Sequence, residues 1–126
     1  MADPNIKILI VDDFQSMRRI VKTVLKQNGY NNIDEAEDGE QALGKLKAGK
    51  YDFLVTDWNM PKMDGLTLLK AIRSDPTLKI LPILMLTAES EKDKVIAAIQ
   101  AGVNNYLMKP FTADSFKDKM EKILAA

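Results

Sequence analysis

The chain has 126 residues, 46% of them hydrophobic, with 18 basic and 18 acidic side chains and a formal net charge of zero. That is the size of one domain with material for a core, and it lacks the bulk positive charge of a protein that grips nucleic acid through its phosphates. Cysteine and histidine are both absent. Disulfides, thiol and imidazole chemistry and Cys- or His-ligated metals are therefore excluded, which leaves oxygen donors for a hard cation and Asp, Glu, Lys, Ser, Thr or Tyr for any covalent step.

The start, Met1 to Asn5, is polar and has no signal-peptide layout, and no apolar run has the length of a membrane span. A soluble, cytoplasmic, monomeric protein is expected. The β-branched run Ile6 to Val11 predicts a buried first strand ending at Asp12-Asp13. Phe14, Met17, Ile20, Val21, Val24 and Leu25 then recur at helical spacing, with Arg18, Arg19 and Lys22 between them, and Asn28-Gly29 is a stop signal. Ile33 to Ala36 reads as a second strand and Gly39 to Ala48 as a second helix, closed by Gly49.

The third strand, Tyr51 to Asp57, delivers a carboxylate at its end. Pro61 and Asp64-Gly65 are turn residues, and Leu66, Leu68, Leu69 and Ile72 mark a third helix ending near Asp75-Pro76. Ile83 to Leu86 is a fourth strand, entered from Pro82 and finishing at Thr87-Ala88. Val95, Ala98 and Ile99 mark a fourth helix, stopped at Gly102. Tyr106 to Met108 is the core of a fifth strand ending at Lys109-Pro110. Phe116, Met120, Ile123 and Leu124 mark the last helix, with Thr112 as its N-cap and a Ser115 that is not expected to complete a capping box. Five βα repeats without a linker predict one α/β domain spanning residues 1–126, a doubly wound parallel sheet with helices on both faces.

In such a sheet all C-terminal strand ends share one edge, where ligands bind. Here those ends carry Asp12-Asp13, Asp57, Thr87 and Lys109. Three carboxylates brought together repel unless a cation intervenes, and a hard divalent ion such as Mg²⁺ takes one or two of them while keeping waters that a phosphate can replace. With the Lys109 ammonium and the Thr87 hydroxyl added, the set suits a phosphoryl group, whose transfer is governed by positioning and charge neutralisation. Singly, each residue has a plainer reading: Asp12 or Asp13 as a helix cap, Asp57 as a turn residue, Thr87 as a strand residue, Lys109 as a solvated charge. It is their placement at the ends of four strands that favours the functional one.

The Val11-Asp12-Asp13-Phe14 segment, Asp57-Trp58-Asn59-Met60-Pro61 with Asp64-Gly65, Thr87-Ala88-Glu89 and Lys109-Pro110-Phe111 together resemble a bacterial response-regulator receiver domain over essentially the whole chain. Trp58-Asn59, Glu89 and Tyr106 narrow the resemblance to the single-domain chemotaxis regulators. The resemblance implies a flavodoxin-like (βα)5 fold with strand order 2-1-3-4-5, receiver domains being themselves an established illustration of that order.

It further implies that Asp57 is the phosphoacceptor, charged by a phosphohistidine of the histidine kinase CheA. Asp13 and Asp57 would bind Mg²⁺ directly, Asp12 through water and Asn59 through its backbone carbonyl. Lys109 would contact the phosphoryl oxygens, while Thr87 would move toward them and Tyr106 would turn inward behind it. Asn59 and Glu89 would tune dephosphorylation, and Lys109-Pro110 would be a cis peptide. The output face would carry Lys92, Val95, Tyr106, Met108, Lys119 and Lys122 and would bind the flagellar switch protein FliM, with a phosphatase such as CheZ ending the signal. By spacing alone those lysines are an ordinary solvated face, and Tyr106 a half-buried strand aromatic. The resemblance makes the chain a signalling protein that catalyses only its own phosphotransfer and dephosphorylation.

Two rivals fare worse on the residues. Haloacid-dehalogenase-type phosphatases use a similar strand-end set but need Asp-x-Asp after the first strand, where this chain has Asp12-Asp13-Phe14-Gln15, and it leaves no room for a cap domain. A nucleotide- or flavin-binding module would want a glycine- or hydroxyl-rich first loop. A DNA-binding output domain is not expected.

Overall fold

The computed structural model describes residues 3–88 and 92–125; Glu89 lies outside the described residues. Five strands alternate with five helices: β1 (Ile8–Val11), α1 (Gln15–Gln27), β2 (Ile33–Ala36), α2 (Gly39–Ala48), β3 (Phe53–Asp57), α3 (Gly65–Ser74), β4 (Ile83–Ala88), α4 (Lys92–Gln100), β5 (Asn105–Lys109) and α5 (Ala113–Ala125). The strands form one parallel sheet in the order β2-β1-β3-β4-β5, as the resemblance implies.

The central strands are apolar on both faces because helices cover both. Ile8, Ile10, Phe53, Val55, Leu84, Leu86 and Leu107 pack with Val21, Leu25, Phe116 and Met120 of α1 and α5. The alternate residues Leu9, Val11, Leu54, Ile83 and Met85 pack with Ala42, Leu46, Leu68, Leu69, Ile72 and Ala98 of α2, α3 and α4. Register then fixes the edge. Val11 pairs with Thr56, Asp57 with Leu86, and Ala88 with Lys109. Asp12, one residue past Val11, is thereby set beside Asp57, one residue past Thr56.

β1 and β3 each begin two residues later than the sequence pattern predicts. Asp52 is the cause: its carboxylate accepts the Lys7 N–H at 2.9 Å, and its own N–H goes to the Lys7 carbonyl at 2.8 Å. The helix ends follow their signals more closely. Asp38 and Asp64 each accept a backbone N–H, from Gln41 and Thr67, both at 2.8 Å, caps that typically stabilise by about 1 kcal/mol. Gly29 and Gly102 have φ of 91° and 96°. After each, the next N–H bonds five residues back, Tyr30 to Leu25 and Val103 to Ala98, the closure for which glycine's freedom at positive φ is suited.

Three expectations are corrected. Ser115 does complete a capping box. Its hydroxyl accepts the Thr112 N–H at 3.0 Å while Thr112 Oγ1 accepts the Ser115 N–H at 3.0 Å, the short side chain being long enough because Thr112 and Ser115 face each other across one turn. Phe14 is not part of the apolar face of α1. It stands at the N-cap with no side-chain cap bond, and it and Ile20 are exposed. Arg18, which the periodicity sets among outward cations, is buried. Its Nη1 donates to the Asp12 carbonyl at 2.6 Å and its Nε to Glu35 Oε1 at 3.0 Å, so the stem packs while both ends of the guanidinium find acceptors.

Candidate functional site

The site is built from strand ends. β1 runs out at Val11 and the chain turns into α1 through Asp12 and Asp13. Asp12 is 1% exposed. Its Oδ1 accepts the Phe14 N–H at 2.9 Å, and its backbone carbonyl is held by Arg18. Asp13 is more open and does not cap α1, whose N-cap is Phe14. β3 ends at Asp57, 4% exposed, whose Oδ1 is bonded by Lys109 Nζ at 2.6 Å. Gly65 packs the start of α3 against this strand end: a Cβ there would lie 2.5 Å from the Asp57 carbonyl and 2.8 Å from Met85 Sδ. The sequence marks Gly65 only as a turn residue, whereas its use is close approach.

One carboxylate oxygen from each of Asp12, Asp13 and Asp57 lies within 4.8 Å of the others. Two like charges at that separation repel by about 3 kcal/mol at an effective dielectric of about 20. Lys109 offsets part of this at Asp57. Burial nevertheless pushes the Asp57 carboxyl above the usual carboxylate range, against the lowering pull of Lys109. At Asp12 burial is again the largest cause, and the charge of Asp57 adds to it, raising the carboxyl to about 6. Among the described residues Asp12 Oδ2 is buried with no hydrogen-bond partner, a costly arrangement for a carboxylate.

Those observations decide whether the residues fit a cation. Three oxygen donors converge, two of them buried, and one donor oxygen is left without a proton to accept. That is the donor chemistry of a hard divalent ion, so Asp12, Asp13 and Asp57 fit Mg²⁺.

Thr87, 1% exposed, is on β4 and is the neighbour of Ala88, the register partner of Lys109. The Lys109-Pro110 peptide is cis. Asn59 is on the loop that follows β3, where its Oδ1 accepts from Lys94 Nζ of α4 at 2.9 Å; sequence reading did not single out Lys94. Nor did it find Arg18, which has no local signal because its acceptors come from the β1–α1 loop and from β2.

The expected output residues divide. Lys92, Val95, Tyr106 and Met108, with Ile96 and Ile99, line a groove of about 390 Å³ between α4 and β5. Lys119 Nζ lies 5.5 Å from the centroid of the half-buried Tyr106 ring, joining α5 to this face. Lys122 is paired with Asp118 at 3.1 Å in an exposed i,i+4 bridge, the kind that contributes little to stability. Among the described residues no helix is long and apolar enough to cross a membrane.

Comparison with known proteins gives the family and the fold. Residues 8–121 match the family described as the response regulator receiver domain. A protein of Vibrio cholerae serotype O1 named chemotaxis protein CheY-3 is 60% identical over 123 residues, covering 98% of this chain and 95% of the relative. The structure of the chemotaxis response regulator CheY4 of Vibrio cholerae superposes with a TM-score of 0.87 at 35% identity, covering 95% of this chain and 99% of that one. The receiver domain of the sensor histidine kinase PA1611 from Pseudomonas aeruginosa PAO1, solved with a magnesium ion coordinated in its active-site cleft, superposes with a TM-score of 0.87 at 27% identity, covering 97% of this chain and 99% of that one.

Proposed function

This chain belongs to the response regulator receiver domain family, and from that premise we propose that it is a chemotaxis regulator whose Asp57 accepts a phosphoryl group from a phosphohistidine of a histidine kinase of the CheA type. The single observation that carries the reading is the meeting of Asp57 with Asp12, Asp13 and Lys109 at one strand edge. A carboxylate oxygen of Asp57 attacks phosphorus as the phosphorus–nitrogen bond of the donor breaks, and the imidazole leaves with the electron pair. Before transfer, Lys109 neutralises the nucleophile at 2.6 Å. Afterwards the same ammonium follows the negative charge onto the phosphoryl oxygens.

Asp12, Asp13 and Asp57 are the side chains that would hold Mg²⁺, with the Asn59 carbonyl completing the set. When bound, the ion supplies positive charge against the carboxylates and the incoming phosphoryl group. The magnesium-bound receiver of the histidine kinase from Pseudomonas aeruginosa supports this choice of metal. Thr87 donates its hydroxyl to the new phosphoryl group, and Tyr106 moves in behind it. Asn59 and Glu89 set how readily water reaches the acyl phosphate. The groove lined by Lys92, Val95, Tyr106 and Met108, with Lys119 and Lys122 along α5, is the face that would bind the switch protein FliM, where the change of charge at Asp57 is read as a change of shape. A phosphatase of the CheZ type would act on the same acyl phosphate. Cytoplasmic work as a monomer fits this role.

Intact mass after incubation with acetyl phosphate and Mg²⁺ tests the reading. The wild-type chain is expected to gain one phosphoryl group and Asp57→Asn none; equal labelling of the two would place the chemistry elsewhere.

A further inference from the structure

α4 is attached to the rest of the molecule differently from the other helices. Ala98 is its one buried side chain among the described residues, while Ile96 and Ile99 are 55% and 56% exposed. Both ends, by contrast, are tied. Just beyond the C-terminal end the Gly102 carbonyl accepts from Arg73 Nε at 2.9 Å. The same guanidinium donates to the carbonyls of Lys79 and Leu81 and to Asn104 Oδ1, at 2.8 to 3.0 Å. In the first turn, Lys94 reaches across to the loop after β3. Its ammonium donates to Asn59 Oδ1 at 2.9 Å and lies 5.5 Å from the centroid of the buried Trp58 ring.

A lysine in a first turn opposes the helix dipole. The bond it makes has a definite consequence. An asparagine amide presents an acceptor on one side and two donors on the other. A cation bound to Oδ1 fixes that choice, turning the oxygen toward α4 and the NH₂ group away from it, and a charge-assisted bond does so more firmly than a neutral one. Asn59 is two residues beyond Asp57.

We infer that Lys94 is a positioning residue: it orients the Asn59 amide and thereby sets the lifetime of the phosphoryl group on Asp57, while coupling that lifetime to the position of α4. The inference rests on the reading of Asp57 as phosphoacceptor with Asn59 tuning its dephosphorylation, and adds to that reading a residue of α4. Because α4 is held by its ends and not by a wide buried face, a partner seated on its exposed side can shift Lys94 without disturbing the core.

The test is a double-mutant cycle on full-length protein, reading the decay of the label after the donor is removed, together with acrylamide quenching of Trp58, the one tryptophan of the chain. Lys94→Met is expected to change the lifetime roughly fivefold, the size of one modest hydrogen bond, in the same direction as Asn59→Ala. In the Asn59→Ala background the same change should have no further effect. Trp58 should become more quenchable in Lys94→Met, and Lys94→Arg should restore both readouts. A Lys94→Met protein with wild-type lifetime and quenching, or an effect that survives undiminished without the Asn59 amide, would overturn the inference while leaving the phosphoacceptor standing. A wild-type chain that takes no label would remove the phosphoacceptor and the inference together.

Discussion

Two carboxylates, Asp34 and Asp12, sit toward opposite ends of the neighbouring strands β2 and β1, and their surroundings are built in opposite ways. Near the start of the sheet, Asp34 of β2 accepts the Tyr51 hydroxyl at 2.6 Å on one oxygen, and on the other the Glu35 N–H at 2.9 Å and the Lys45 ammonium at 3.4 Å. Both oxygens are used. The Tyr51 hydrogen bond is the main reason that the Asp34 carboxyl is held below its ordinary range, and burial together with Asp34 pushes the phenol up to about 12. At the far edge Asp12 has one oxygen satisfied and one buried without a partner among the described residues, and its carboxyl is raised to about 6. Satisfied acids hold a fold together. An acid kept buried and incomplete is a cost to the fold, and such costs persist where a ligand removes them.

The same substitution should therefore have opposite signs at the two places. Asp12 has a folded-state carboxyl above its unfolded value of 3.8. Its contribution to stability is present below about pH 4 and is lost as pH rises through about 6. Above that it costs the metal-free protein about 2 to 3 kcal/mol. Asp12→Asn is expected to recover most of this at pH 7 in urea unfolding with chelator present, and to flatten the fall in stability between pH 4 and 6; a destabilised variant would break the contrast. Asp34 is shifted the other way, so its contribution is present at neutral pH and is lost as pH falls below about 4. It is also partly exposed. Asp34→Asn should accordingly lose about 1 kcal/mol at pH 7, a modest figure for a screened, hydrogen-bonded carboxylate. A gain in stability in the same assay would show that the two carboxylates do not differ in kind.

The comparison also separates what the residues reveal in order from what they reveal only when folded. The five βα units and the strand-end positions of Asp57, Thr87 and Lys109 are legible because central strands are continuous apolar runs, and the polar residue that ends each one stands out. Asp12 and Asp13 are legible for the same reason, but the orphaned oxygen of Asp12 is not, since it depends on what β3 and α1 bring to it. Arg18 reads as a surface cation because helical periodicity sees only its own helix. The Ser115 cap is not legible from type alone, because Glu and Gln are the usual acceptors at that position and a serine reaches only when its turn is closed. The Asp34–Tyr51 pair joins residues seventeen apart in the chain, and the Lys94–Asn59 bond joins two that are thirty-five apart. Neither spacing carries a local signal.

Calorimetric titration of Mg²⁺ into the wild-type, Asp12→Asn and Asp34→Asn proteins at pH 7 tests most directly whether the incomplete cluster exists for a cation. The wild type and Asp34→Asn should bind alike, and Asp12→Asn more weakly by roughly tenfold or more, the usual cost of removing a carboxylate that orients a metal site. Undiminished binding by Asp12→Asn, or an equal loss in Asp34→Asn, would contradict the account.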